Sequence, residues 1–331
     1  MRAFTVLGVV ILASLCRAED RELSRCRVVP QANHEVVFLV DGGERLRWHC
    51  GRDVPRPFFF PLVGPSGSPL TRMGHPGAPD HEHHRSIWFA HHAVNGVDFW
   101  GDRTSARVRQ EQWLVYEDGR DAARMAVLLG WHPEPDAKAI MEQELVVEVR
   151  AADDGETLVE LQSTFRAPKG RTVTLGKTNF GFLAVRVAKS ISGHFGGGTI
   201  TSSGGATGEK AVFGQEARWM DYSGPVPNRS QGGAAVMNGI TYHDHPANPG
   251  YPSRWHVRED GWMGASVCRT GERTIESGKP LVLRYLIHAH AGPVDAANCE
   301  KVAAAFAQRP PFEVVKSRKP HRAFELRRVE E

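Results

Sequence analysis

Apolar and polar positions alternate with a period of two through most of this chain. Segment 157–165 is the clearest case: Val159, Leu161 and Phe165 fall on one side and Glu160 and Gln162 on the other, the signature of a pleated strand. The segment Glu35–Val40, the turn Asp41-Gly42-Gly43 and segment 46–50 predict a hairpin. Further strands are expected at 58–63, 86–90, 108–116, 124–131, 140–150, 172–175, 182–187, 217–222, 234–237, 262–267 and 281–288. Acidic, glycine-bearing turns such as 152–156 separate neighbours. Helical spacing is convincing once, at 294–308, where Val302, Ala305 and Phe306 share a face before Pro310 and Pro311 end the run. Many strands without alternating helices predict an all-β fold, an antiparallel β supersandwich with one short C-terminal helix. The expected organisation is a single sandwich domain over 19–312, followed by a solvated basic tail at 313–331.

Residues 1–18 break the pattern. Arg2 precedes an apolar run from Phe4 to Leu15, and Ala18 closes an A-x-A-like site. The run is shorter than the roughly 20 residues that span a bilayer, so a cleaved signal peptide is expected, with a secreted or periplasmic product. Leu15 before Cys16 makes a poor lipidation site. No later stretch is apolar enough to span a membrane. The formal net charge of +3 leaves no electrostatic footprint for nucleic acid or anionic lipid. Beyond the leader stand Cys26, Cys50, Cys268 and Cys299. In an oxidising compartment a Cys26–Cys50 bridge across the first hairpin is expected, then Cys268–Cys299, with free buried thiols as the alternative.

Histidine is the residue that stands out chemically. Of 16 in the chain, six lie between His75 and His92. If 86–90 is a strand, His84, Ser86, Trp88, Ala90 and His92 share a face. His84 and His92 would then stand about 26 Å apart at about 3.3 Å per residue, too far to share a metal, leaving His81 and His83 as the close pair. The proline-rich segment 241–256 reads as a loop carrying His243, Asp244, His245, Trp255 and His256. Lys177 and Asn179 precede the strand at 182–187, and Arg284, His288 and His290 share a face of the strand at 281–288. Motifs for nicotinamide, ATP, zinc-protease and serine-hydrolase chemistry are missing, so no nucleotide cofactor is expected, while a divalent metal stays open.

The segments 61–67, 81–89, 95–100 and 244–248, with Trp255-His256, resemble a secreted bacterial family of unknown function that carries the label "methane oxygenase PmoA-like". The likeness runs over about residues 58–291. More loosely, the order Arg85, Asn179-Phe180, His243/His245 is similar to the galactose-mutarotase-like supersandwich, with His288 and His290 where that pattern carries a catalytic glutamate. These resemblances imply a small-molecule or glycan ligand and acid/base chemistry at a sugar ring, as a lyase, epimerase or hydrolase. His84, His92, His243 and His245 would be catalytic. Arg85, Trp88, Lys177, Asn179, Trp255, His256 and His288 would bind substrate. The sharpest expectation is that His84, Arg85, Asn179, His243 and His245 line one cavity. A non-catalytic glycan-binding module and a histidine-ligated metal oxidase on His81 and His83 are the other two readings.

Overall fold

The computed structural model describes residues 23–75, 81–229 and 231–329; the expected leader at 1–18 lies outside them. Two eight-stranded antiparallel sheets make the body. The first has the order β1 (Cys26–Gln31), β2 (Glu35–Val40), β3 (Gly43–His49), β4 (Phe58–Leu62), β5 (Ile87–Phe89), β11 (Leu183–Arg186), β16 (Trp262–Ala265), β15 (Trp255–Arg258). The second runs β12 (Thr199–Ser202), β13 (Trp219–Pro227), β14 (Ala235–Asp244), β18 (Leu281–Ala291), β9 (Thr157–Arg166), β8 (Met141–Ala151), β7 (Ala122–His132), β6 (Arg107–Glu117). Small two-stranded sheets pair β10 (Thr172–Leu175) with β17 (Arg273–Glu276) and β19 (Phe312–Lys316) with β20 (Phe324–Arg328). This is the antiparallel β supersandwich that the strand pattern predicts. Besides a single turn of helix, α1 (Glu209–Val212), the expected helix forms as α2 (Ala296–Ala307). Its N-cap Asp295 accepts from the Ala297 and Asn298 amides. Among the described residues no helix is long and apolar enough to cross a membrane.

The core lies between the sheets and is built by the pleat. Ile87 and Phe89 of β5, Leu183 and Val185 of β11 and Val257 of β15 join Val147, Val159, Leu161 and Phe165 of the second sheet in one buried cluster. Phe89 meets Phe165 edge to face across the layers, with ring centroids 6.3 Å apart. The alternate residues of the first sheet point outward, and Trp88, Ala90, Ala184, Trp262 and Trp100 form a second apolar cluster there. β5 is shorter than expected because Ser86 takes a left-handed conformation at φ 59°. Its hydroxyl donates to Thr71 Oγ1 at 2.7 Å. The chain bends at Ser86, so the straight 26 Å separation of His84 and His92 does not apply.

The expected disulfides do not form. In the β1–β2–β3 meander Cys26 sits opposite Val40, whereas the Cys50 amide donates to His34 O at the far end. All four described cysteines are free thiols. Cys268 is in the inter-sheet core, whereas Cys299 is on α2, 3.5 Å from the Thr241 hydroxyl.

The described part of the expected basic tail, 313–329, carries an antiparallel hairpin on a largely exposed segment. The β19–β20 hairpin covers the outer face of β6 to β9, where Phe312 clusters with Val115, Ala126 and Val146 and bonds Gln162. Its Arg328 reaches the fully buried Glu160 through Nη1 at 2.7 Å and Nη2 at 2.8 Å. Arg284 and Arg309 bind the same carboxylate at 2.9 and 2.8 Å. Burial alone would raise the Glu160 carboxyl, but these guanidinium groups outweigh it and hold the pKa at about 2. A depressed carboxyl stabilises the fold above its unfolded pKa, and that stability is lost as pH falls through the folded value. Glu160→Gln is expected to lower the unfolding free energy by about 3 kcal/mol at neutral pH, because it strands buried guanidinium charge. Urea unfolding at pH 7 and near pH 2 should show the difference shrinking in acid.

Candidate functional site

The outer face of the first sheet carries a cavity of about 490 Å³. Its floor follows directly from register. Trp88, Ala184, Gly264 and His256 lie side by side across β5, β11, β16 and β15. In the next row Arg186 pairs with Trp262, and Trp262 with Arg258. Ala184 and Gly264 keep the middle of the floor low. A Cβ on Gly264 would sit 3.5 Å from Trp262 Cζ2, so the Trp262 indole lies over that glycine. The walls are Trp100 and Phe180, stacked at 5.1 Å, with His81, His83 and His84 beside them.

The histidines are clustered. His84 has its ring 4.3 Å from His83, 4.9 Å from His81 and 5.1 Å from Trp262. Burial first, then the charge of Arg186 and the neighbouring imidazoles, holds His84 far below the ordinary imidazole range. Across the floor His256 lies 5.3 Å from Phe180 and 5.7 Å from Trp262. Burial, then Arg258 and Arg269, push its pKa down to about 4. Both imidazoles are therefore neutral at pH 7, each a donor at one nitrogen and an acceptor at the other.

One carboxylate anchors this end. Asp260 takes two bonds from Arg186, at 2.7 and 3.2 Å, and one from His75 Nε2 at 2.8 Å. Burial would raise its pKa, but the Arg186 bonds and His75 outweigh it and keep the carboxyl below its usual value. Arg72 donates to the Asp260 carbonyl oxygen at 2.7 Å, fixing the β15–β16 turn.

The structure divides the expected site residues. His84 and His256 line the cavity, with Trp88 buried in its floor. Arg85 stands behind the wall: its Nη2 donates to Asp102 at 2.7 Å. Arg56 bonds the same carboxylate and the Trp100 carbonyl oxygen, so Arg85 braces the loop that holds Trp100. His92 is half-exposed at the rim, 3.6 Å from Asp98 and edge-on to Phe180. Lys177 and Asn179 are exposed; the Asn179 carbonyl oxygen accepts from the Ser266 hydroxyl, and the neighbouring Phe180 is the residue that lines the cavity.

His243, His245 and His288 are elsewhere. Segment 241–244 is the end of β14, not a loop, and its register pairs His243 with Leu286 of β18. His243 thus points to the outer face of the second sheet, the face α2 covers, fully buried beside His288 and His290. His245 accepts from Arg284 Nη1 at 2.9 Å and packs on Phe306 of α2. His288 donates to Glu156 at 2.7 Å. Two stacked sheets separate these groups from Arg85, so the expected shared cavity does not exist. Trp255 is likewise not a cavity wall: the pleat turns it into the inter-sheet core, where its indole donates to Ala217 O at 2.8 Å.

Sequence reasoning missed Arg186, Arg258, Asp260 and Trp262. The available signal was Arg186, a single charge in the otherwise apolar 182–187 strand.

Fold and cavity together define a β supersandwich with a ligand-sized, histidine- and tryptophan-lined pocket on the outer face of one sheet. The chain belongs to the DUF6807 family, a family of unknown function, whose model matches residues 35–304. That description carries no methane-oxygenase label. No curated protein matches the chain. Among solved structures, an aldose epimerase (GalM) homologue from C. elegans is similar over 81% of this chain and 99% of its own, at 7% identity and a TM-score of 0.33. A 4-alpha-glucanotransferase from Thermococcus litoralis is similar over 80% of this chain and 39% of its own, at 9% identity and a TM-score of 0.29.

The low basicity of His256 has a measurable consequence. A buried imidazole with a depressed pKa destabilises the fold as pH falls from about 6.5, the unfolded value, to about 4. Histidine NMR is expected to show the His256 ring neutral at pH 6 and titrating near 4; a midpoint above 6 contradicts the buried, cation-flanked setting.

Proposed function

We propose that this is an exported, carbohydrate-active protein whose outer-face pocket binds a sugar and performs acid/base chemistry on its ring. The observation that carries the reading is the pairing of neutral His84 and His256 with the aromatic surfaces of Trp100, Phe180 and Trp262 around one cavity. Indole faces suit the apolar C–H face of a sugar ring, and neutral imidazoles match hydroxyls, which are themselves both donor and acceptor. In this reading His256 is the proton acceptor, neutral His84 holds a ring hydroxyl by hydrogen bonding, and the Asp260–Arg186 pair fixes the cavity end. Export rests on the leader pattern of residues 1–18.

Binding without catalysis has one observation in its favour. A base with a pKa near 4 is weak at pH 7, which suits hydroxyl recognition better than proton abstraction. Metal oxidation has less support: among the described residues no three His, Cys, Asp or Glu side chains are arranged to hold a metal ion.

Incubating the protein with a panel of mono- and oligosaccharides, followed by NMR of the sugars, separates these readings. The expected result is a change of configuration or a broken bond, slowed at least about 100-fold in His256→Ala or His84→Ala. Sugars that bind measurably yet stay unchanged favour the binding module. If none binds, the carbohydrate reading fails.

A further inference from the structure

The charges lining the cavity are unbalanced in one direction. Its lining holds two guanidinium groups, Arg186 and Arg258, against one carboxylate, Asp260. Asp260 is already engaged: both its oxygens take bonds from Arg186, and His75 donates to one of them. No other acidic side chain among the described residues lines the cavity. Arg258 is on the rim, with its side chain 52% exposed, its Nε 3.1 Å from Glu209 and its guanidinium 6.0 Å from the centre of the Phe213 ring. The half-exposed Arg258 guanidinium is part of the cavity lining, a planar forked donor at its mouth. The indole N–H groups of Trp262 and Trp88 are buried within the floor and have no protein acceptor.

Resting on the carbohydrate reading, we infer that the pocket selects an acidic sugar, one whose ring bears a carboxylate, with that group at Arg258 and the ring against Trp100 and Trp262. A carboxylate is planar and two-pronged, matching the guanidinium fork. The neutral imidazoles serve the ring of either sugar, since burial and the surrounding arginines keep protons off His84 and His256 and leave them able to accept from ring hydroxyls. A neutral sugar would occupy the same ring site but offer the half-exposed Arg258 guanidinium no carboxylate.

Calorimetric titration of the full chain tests this with matched pairs, glucose against glucuronate and galactose against galacturonate, plus glucose 6-sulfate, at low and high salt. The uronate is expected to bind at least about tenfold more tightly than its neutral partner at low ionic strength, with the gap narrowing as salt rises. Arg258→Gln is expected to weaken uronate binding at least about tenfold more than neutral-sugar binding and so to close that gap, with circular dichroism as the folding control. Equal or tighter binding of the neutral sugar overturns acidic selectivity but leaves the carbohydrate reading standing. Tighter binding of the sulfate ester than of either uronate overturns the carboxylate assignment. An Arg258→Gln variant that loses both affinities equally overturns the role of the fork. Failure of every sugar to bind removes the carbohydrate reading itself, and the selectivity with it.

Discussion

A pleated strand sends successive side chains to opposite faces, and in the centre of the first sheet both faces are covered. Ile87, Leu183, Val185 and Met263 go inward to the inter-sheet core, while Trp88, Ala184, Arg186, Trp262 and Gly264 go outward to the cavity. A one-residue slip in β5, β11 or β16 would exchange these sets, burying Arg186 among aliphatic side chains and turning valines to the ligand. Core packing therefore fixes the register, and the register fixes the pocket floor. The same coupling makes the pocket stiff, because its floor cannot move without disturbing the main core.

Buried charge is handled in the same way on both sides of the molecule. Asp260 spans Arg186 and His75 at the cavity end, and Glu160 spans Arg284, Arg309 and Arg328 under the C-terminal hairpin. Isolated buried charges would cost several kcal/mol each, so the buried Arg186 is matched by the partly exposed Asp260, and the buried Glu160 gathers three guanidinium groups from segments far apart in sequence. At Glu160 this closes the fold by docking the last strands. At Asp260 it fixes Arg186 at the cavity end, while Arg258 in the same lining pairs with Glu209.

The buried histidines of the second sheet show how similar side chains acquire different roles. His243 has neither ring nitrogen bonded, and burial pushes its pKa down to about 3. His290 donates to Asp221 at 2.8 Å, and although burial lowers its pKa, that bond and the carboxylate charge raise it overall. These groups serve the packing of α2 on β14 and β18, and their sequence neighbourhood resembles that of the cavity histidines closely enough to mislead.

Period-two patterning with glycine and acidic turns was enough to specify the antiparallel class and most strands, since alternation is a local property set by the pleat. The 294–308 helix was equally legible, its stop signals being prolines. His84, Trp88 and His256 could be picked out as chemistry-bearing because polar and aromatic residues interrupt the apolar pattern there. What sequence could not supply was which outward face each one joins. Cys26 and Cys50 flank one hairpin yet sit at its opposite ends, and His243 follows a strand rule identical to that of His256 but on the other sheet. Facing, unlike alternation, depends on which strands become neighbours, and that is decided by long-range pairing between β5, β11, β16 and β15, segments up to about 170 residues apart along the chain.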